Sequence, residues 1–283
     1  MALTFNNSNI KEIIFNGTTV DTVIYNGVTV MSDDGETSFY FDCSSDPQNI
    51  TPKYNLTVLK APVQVYIGST EPANYIQEIT KTGPITLGFS ISKESPRVAV
   101  KFKKGRIAIN NPANKITTAN QFLTKAKLGA NFYGDVPKAA FNLCKFTTLD
   151  LTDTSIDTLG QIYYTSLTSL TIPASVNISN TEPISNSNYD IVDLRIEGTN
   201  RQLPPKIIVT GGSTLRNVYI HSTAVQNNPS NSTSTPWITG GTYQATIHVP
   251  KSVGTLEHAK ELYGPYFNYR TTDQSEHTVR FDL

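Results

Sequence analysis

Apolar positions in this chain come in short alternating bursts broken by Gly, Pro, Asn and Ser. Residues 10–30 read Ile-Lys-Glu-Ile-Ile-Phe-Asn-Gly-Thr-Thr-Val-Asp-Thr-Val-Ile-Tyr-Asn-Gly-Val-Thr-Val, and Phe15-Asn16-Gly17 returns ten residues later as Tyr25-Asn26-Gly27. Asn-Gly accepts the positive φ angles of a type I′ turn, so each pair, set between β-branched and aromatic residues, predicts a hairpin. The pattern predicts strands over 10–15, 18–25 and 28–31, with Asn16, Gly17, Asn26 and Gly27 at the turns. A meander this small is marginal alone, so residues 1–31 must dock on the rest of the chain or on another subunit. Residues 32–36, acidic and turn-rich, read as a solvated linker.

From Thr37 to about Asn110 short strands alternate with turn residues. The candidates are Ser38–Asp42, Asn55–Leu59, Val63–Ile67, Ile85–Ile91, Val98–Lys103 and Arg106–Ile109, with a turn of helix near Tyr75–Ile79. The last two strands read as a hairpin closed around Lys103-Lys104-Gly105. Evenly spaced short strands predict a small sandwich or barrel over 37–112. Lys101, Lys103, Lys104 and Arg106 make a basic patch. It suits a polyanion, or equally a solvent face whose lysines discourage edge-to-edge pairing.

One phrase recurs over residues 113–283: apolar-x-x-apolar-x-apolar. It runs Phe146-x-x-Leu149-x-Leu151, Leu167-x-x-Leu170-x-Ile172, Ile191-x-x-Leu194-x-Ile196 and Leu215-x-x-Val218-x-Ile220, with a degenerate copy at Ile247-x-Val249. The middle anchors are spaced 21, 24, 24 and 29 residues. That phrase at that period is the signature of a leucine-rich repeat, in which each repeat gives one strand to a core that only stacking can bury. Ile156 and Leu159 fit a returning turn, and Ala139-Ala140-Phe141 with Leu143 fit a short helix ahead of the first strand. Gln226–Trp237 reads as an inserted loop. Leu256, Ala259, Leu262 and Tyr263 share one helical face, predicting a terminal helix that caps the array. The fold expected is mainly β: an N-terminal meander, a sandwich or barrel-like middle, and an irregular solenoid ending in a helix.

Composition narrows the function. Of 283 residues, 38% are hydrophobic and 16% charged, and Lys+Arg and Asp+Glu both number 23. A zero formal charge lacks the basic excess of a nucleic-acid binder and the attraction to an anionic membrane. No apolar run is long enough to span a bilayer, and the first residues, Met1-Ala2-Leu3-Thr4-Phe5-Asn6-Asn7, do not form a secretory signal. Cys43 and Cys144 form no CxxC unit, so two buried free thiols are expected rather than a disulfide or a zinc site. No cofactor and no metal is expected.

Catalytic motifs are missing: no HExxH, no GxSxG and no phosphate-binding loop. Cys144 and His221 share no special spacing. Asp150, Asp153 and Asp157 suit turn capping better than a cation. Tyr263, Tyr266, Phe267 and Tyr269 suit a capped core, or a ligand contact. The chemistry expected is recognition. In each repeat strand the residues between the buried anchors point outward. Thr148, Asp150, Ser169, Thr171, Asp193, Arg195, Asn217 and Tyr219 then line one polar face.

Two resemblances add a setting. The segment IKEIIFNGTTVDTVIYNGVTV, over roughly residues 4–31, resembles the N-terminal module of many phage tail and minor structural proteins. The string LTSLTIPASV, within about residues 120–270, is similar to the irregular repeats of bacterial surface adhesins, the BspA-like leucine-rich repeat group. The first resemblance implies attachment to a particle or packing within an oligomer; the second implies an adhesive repeat solenoid. Together they imply a non-enzymatic virion component of tail, baseplate or fibre, carried in the phage particle and joined to other virion proteins. A homo-oligomer is expected, a trimer by analogy to fibres. Its repeat face meets a host glycan or protein, or packs on another subunit. A bacterial adhesin, a head fibre or decoration protein and a surface-glycan hydrolase are the alternatives.

Overall fold

Two Asn-Gly dipeptides near the amino terminus are each flanked by a pair of antiparallel strands. The computed structural model describes residues 14–15, 18–19, 22–25, 28–32, 35–45, 53–109, 120–137, 140–160, 166–173, 177–178, 192–197, 207–208, 216–221, 223, 238–239, 245–263 and 277–283. Strand β1 (Ile14–Phe15) pairs with β2 (Thr18–Thr19), and β3 (Thr22–Tyr25) with β4 (Val28–Ser32). Phe15 is opposite Thr18 and Tyr25 opposite Val28. Asn16, Gly17, Asn26 and Gly27 themselves lie outside the described residues. The span 18–25, expected as one strand, contributes β2 and β3 separately.

The middle of the chain forms two antiparallel sheets. One holds β5 (Glu36–Asp42), β7 (Val63–Gly68), β8 (Asn74–Ile79), β10 (Arg97–Lys103) and β12 (Leu123–Lys127), in the order β12-β5-β10-β7-β8. The other holds β6 (Lys53–Lys60), β9 (Gly83–Gly88) and β11 (Arg106–Ala108), in the order β11-β6-β9. Alternation turns Phe39 and Phe41 of β5 inward, where Phe39 meets Phe102 edge-on and Phe41 lies 4.8 Å from Phe89 across the core. Asn131 is buried and joins three strands. It accepts from the Thr37 hydroxyl at 2.8 Å, donates to the Phe102 carbonyl at 3.1 Å, and its own carbonyl accepts from the Ile107 N–H at 2.9 Å.

Four features of this region differ from the sequence pattern. Val98–Ile109 is not a hairpin: β10 pairs with β5 and β7, whereas β11 pairs with β6, so the chain changes sheets between them. Lys104 (φ 57°) and Gly105 (φ 58°) make that change with two successive left-handed residues. Tyr75–Ile79 is strand, not a turn of helix, and β8 is a sheet edge with Tyr75 and Ile76 half exposed. Residues 32–36 are not wholly a linker, since Ser32 ends β4 and Glu36 begins β5. The antiparallel pairing also runs past residue 112, because β12 lies along β5.

The second half pairs in parallel. Strands β14 (Thr148–Asp150), β16 (Ser169–Pro173), β18 (Asp193–Glu197), β20 (Asn217–Ile220), β22 (Thr246–Val249) and β23 (Thr278–Phe281) form one six-stranded sheet in sequence order. A second parallel sheet joins β13 (Tyr133–Val136), β15 (Ser155–Leu159) and β17 (Asn177–Ile178), and β19 (Ile207–Ile208) pairs with β21 (Ile238–Thr239). Leu149, Leu170, Leu194, Val218 and Ile247 stand in register and are buried. Ile172, Ile196, Ile220 and Val249 form a second buried row. These are the anchors of the recurring phrase.

Residues 155–159 are strand rather than a returning turn, although Ile156 and Leu159 are buried. Ahead of β14, residues 140–143 form turns rather than a helix, and Leu143 is exposed at φ 67°; Ala139 lies outside the described residues. Helix α1 (Leu256–Tyr263) buries Ala259, Leu262 and Tyr263. It does not end the six-stranded sheet, because β23 adds a further strand beyond it.

The antiparallel and parallel sheets meet edge to edge. The Lys145 N–H donates to the Leu123 carbonyl at 2.8 Å where β12 runs beside β14, and Ile107 after β10 bridges Phe132 just before β13. Among the described residues one apolar core runs from Phe39 to Tyr263. No helix among the described residues is long and apolar enough to cross a membrane.

Candidate functional site

Because the six parallel strands are in register, their outward residues form columns. Thr148, Ser169, Asp193, Asn217, Thr246 and Thr278 make one; Asp150, Thr171, Arg195, Tyr219, His248 and Arg280 make the next. All eight residues expected on a polar face lie on this sheet, none of them buried. Strand spacing sets neighbours in a column about 4.8 Å apart, within reach of side chains on adjacent strands.

The second column is stacked through its middle. The Arg195 guanidinium carbon lies 3.8 Å from the Tyr219 ring centroid. On the other side, Tyr219 and His248 stack with centroids 4.4 Å apart and planes 13° from parallel. Both faces of the Tyr219 ring are thereby covered.

Hydrogen bonds tie this stack to its flanks. Asn217 donates from Nδ2 to Asp193 Oδ1 at 2.8 Å, which leaves Asn217 Oδ1 toward His248 Nε2 at 3.4 Å. His248 Nδ1 lies 2.9 Å from Asp282 Oδ1. Both imidazole nitrogens therefore face acceptors. His221 Nε2 sits 3.3 Å from Glu197 Oε1, without hydrogen-bond geometry. At the first strand Asp150 closes a turn, accepting from the Thr152 N–H at 2.9 Å and the Thr152 hydroxyl at 2.6 Å.

Other candidates gather less. Lys101 pairs with Glu36 at 3.3 Å, and Lys103 pairs with the same carboxylate while lying over the Tyr66 ring. Arg106 lies over Tyr133 with its guanidinium carbon 4.5 Å from the centroid. Burial alone would raise the Glu36 carboxyl, but hydrogen bonds and charge from Lys103 and Lys101 hold it below its ordinary value. The patch is thus partly neutralised from within. Cys43 and Cys144 are buried free thiols, and burial pushes Cys144 well up. No group of three or more His, Cys, Asp or Glu that suits a metal stands among the described residues. Of the aromatic group, Tyr263 is buried, and Tyr266, Phe267 and Tyr269 lie outside the described residues, as does Gln226–Trp237.

Sequence reasoning missed His248, Arg280 and Asp282. His248 occupies the middle of Ile247-x-Val249 and was readable from the phrase. Arg280 and Asp282 belong to a strand outside the repeat phrase, with alternation as its one signal. No family model, no curated protein and no solved structure matches this chain.

Proposed function

We propose that the chain is a non-enzymatic structural protein of a bacteriophage virion, a tail, baseplate or fibre component that binds through a leucine-rich repeat solenoid. The polar face of the six-stranded sheet is its recognition surface, for a host-surface glycan or protein or for another virion subunit. The single observation that carries this is the in-register parallel stack, with apolar anchors buried beneath two outward polar columns. A solenoid is the architecture that gives each short strand the same inward anchors and the same outward positions. The antiparallel sheets, a sandwich in this reading, cover the first coil of the array at β12 and β11. The Asn-Gly hairpins serve attachment or self-association.

What favours recognition over catalysis is the use of the face's ionisable groups in pairs and stacks within it: Arg195 on Tyr219, His248 on Asp282, Asn217 on Asp193. Preorganised side chains lose little entropy on binding. The test is peptide mass spectrometry of density-purified phage particles from the source. The chain is expected in the particles, at a copy number matching a symmetric ring of the tail or baseplate. Its absence from clean particles and recovery in the host envelope fraction would overturn the virion assignment in favour of a bacterial adhesin.

A further inference from the structure

The last strand of the six-stranded sheet, β23, has β22 on one side and no paired strand on the other among the described residues. The Thr278 N–H donates to the Ala245 carbonyl and the Asp282 N–H to the Val249 carbonyl, each at 3.1 Å. Even-numbered residues thus direct their backbone groups toward β22. Between them, Val279 and Phe281 turn N–H and C=O to the open edge. The apolar layer is also less covered here. Ile247 and Val249 are fully buried, whereas Val279, Phe281 and Leu283 are half-buried.

Along this edge the residues read Val279-Arg280-Phe281-Asp282-Leu283, with Arg280 and Asp282 exposed on the polar face. The string complements itself when reversed. An antiparallel copy centred on Phe281 sets Phe281 opposite Phe281, Arg280 opposite Asp282 and Val279 opposite Leu283. Directly opposed residues of an antiparallel pair share a face of the sheet. Both ion pairs then form on the polar side, and the apolar residues meet on the core side. The central Phe281 pair exchanges two main-chain hydrogen bonds through the groups that face outward in one copy. Leu283 adds side-chain contact only, because its N–H bonds to Val249 and its C=O accepts from Lys251.

We propose that β23 is a self-association edge: a second copy of this chain adds its own β23 antiparallel across a two-fold axis, joining the two parallel sheets into one. Such a contact is isologous, so it closes at two copies. Charge complementarity selects the second copy as the occupant, since each charge on the edge meets its opposite in this antiparallel register, whereas a parallel copy with the same Phe281 pair would set like charges side by side. The contact does not depend on a virion role and stands or falls by itself.

The test measures the mass of the full chain by sedimentation velocity across a wide concentration range, with the reversals Arg280→Asp and Asp282→Arg. The parent chain is expected to pass from monomer to dimer as concentration rises. Each reversal sets like charges opposite and weakens association at least about tenfold. Mixing the two reversed chains is expected to restore a one-to-one heterodimer, because the two carboxylates of one chain's edge then meet the two guanidinium groups of the other's. Restoration shows that both variants fold, so loss of the dimer cannot be misfolding. As a second probe, Phe281→Lys places two cations at the centre and is expected to give a monomer with an unchanged circular dichroism spectrum. A parent chain that stays monomeric, a trimer, or a dimer indifferent to these changes would overturn the proposal.

Discussion

Tyr219 and His248, 29 residues apart in sequence, stack nearly parallel with ring centroids 4.4 Å apart. Both residues are half-buried, and the contact ties β20 to β22 on the polar face. Aromatic pairs contribute about 0.5–1.5 kcal/mol beyond area burial. A urea-unfolding cycle of Tyr219→Ala, His248→Ala and the double variant is expected to give a coupling energy in that range. Additive losses would mean that the stack holds nothing.

Leu194 lies in the middle of the buried row, with Leu170 and Val218 as register neighbours on either side. Backbone pairing holds β16 and β20 on either side, so they cannot close onto a vacancy without breaking register. Leu194→Ala is therefore expected to cost about 2–5 kcal/mol. Val279→Ala, at the half-covered end of the same row, is expected to cost less. Equilibrium denaturation of both variants gives the comparison, and equal losses would contradict the ordering.

The repeat half was legible because its signal is redundant. One phrase returns at a nearly fixed period, and Leu149, Leu170, Leu194 and Val218 all fall where it puts them. The eight face residues followed from those anchors by alternation alone. Hidden features were those that depend on pairing partners rather than local pattern. Val98–Ile109 has the sequence of a hairpin, yet its two arms belong to different sheets: β10 takes its partners from β5 and β7 and β11 from β6, and no local pattern names those distant partners. The strand Thr278–Phe281 carries no repeat phrase and follows a helix that looked like an end. Leu143 has an apolar side chain of the helix pattern but sits on a left-handed turn, so it points out.

Gly105 and Gly254 both have positive φ, at 58° and 74°, but their surroundings differ. A Cβ on Gly105 would lie 2.3 Å from the Lys60 carbonyl oxygen and 2.6 Å from that of Pro62, both backbone atoms. A Cβ on Gly254 meets nothing within 4 Å. Gly254→Ala is expected to cost only the left-handed conformation, about 1–2 kcal/mol. Gly105→Ala should cost more, because β6 and the chain after it must also move. Thermal melts of the two variants decide it; a smaller loss at Gly105 would refute the crossing geometry.

Asp42 and Glu36, at opposite ends of β5, are both held below their ordinary carboxyl values. The Ser44 hydroxyl does most for Asp42, followed by the Ser44 N–H and Arg97, against an opposing effect of burial. Glu36 is lowered by Lys103 and Lys101 against burial. A carboxyl depressed in the folded state stabilises it above the unfolded value and loses that effect as pH falls through the folded one. With ordinary values of 3.8 and 4.5, the loss begins near there and continues downward. Melting temperature is expected to fall below that range, and less steeply in Asp42→Asn/Glu36→Gln. Both groups are largely solvated, so the difference is small. Parallel curves for parent and variant would show that these contacts carry no acid sensitivity.

Tyr263 ends helix α1 with its side chain in the core, and burial raises its phenol from 10.0 to about 12. The neutral phenol is the form the core accepts; ionising it would place a charge among apolar groups. The sign is the reverse of the carboxylates. A raised folded value leaves stability unaffected below the unfolded one and removes it as pH climbs from 10.0 toward about 12. Stability of the parent chain is expected to decline through that window. Tyr263→Phe fills nearly the same volume and has no proton to lose, so it should reduce the alkaline slope. The slope is read from denaturant unfolding at several pH values, alongside the tyrosinate absorbance of folded chain. A variant whose alkaline slope matches the parent would mean that Tyr263 already ionises as freely in the fold as in the unfolded chain, and that α1 does not pack as tightly as its burial implies.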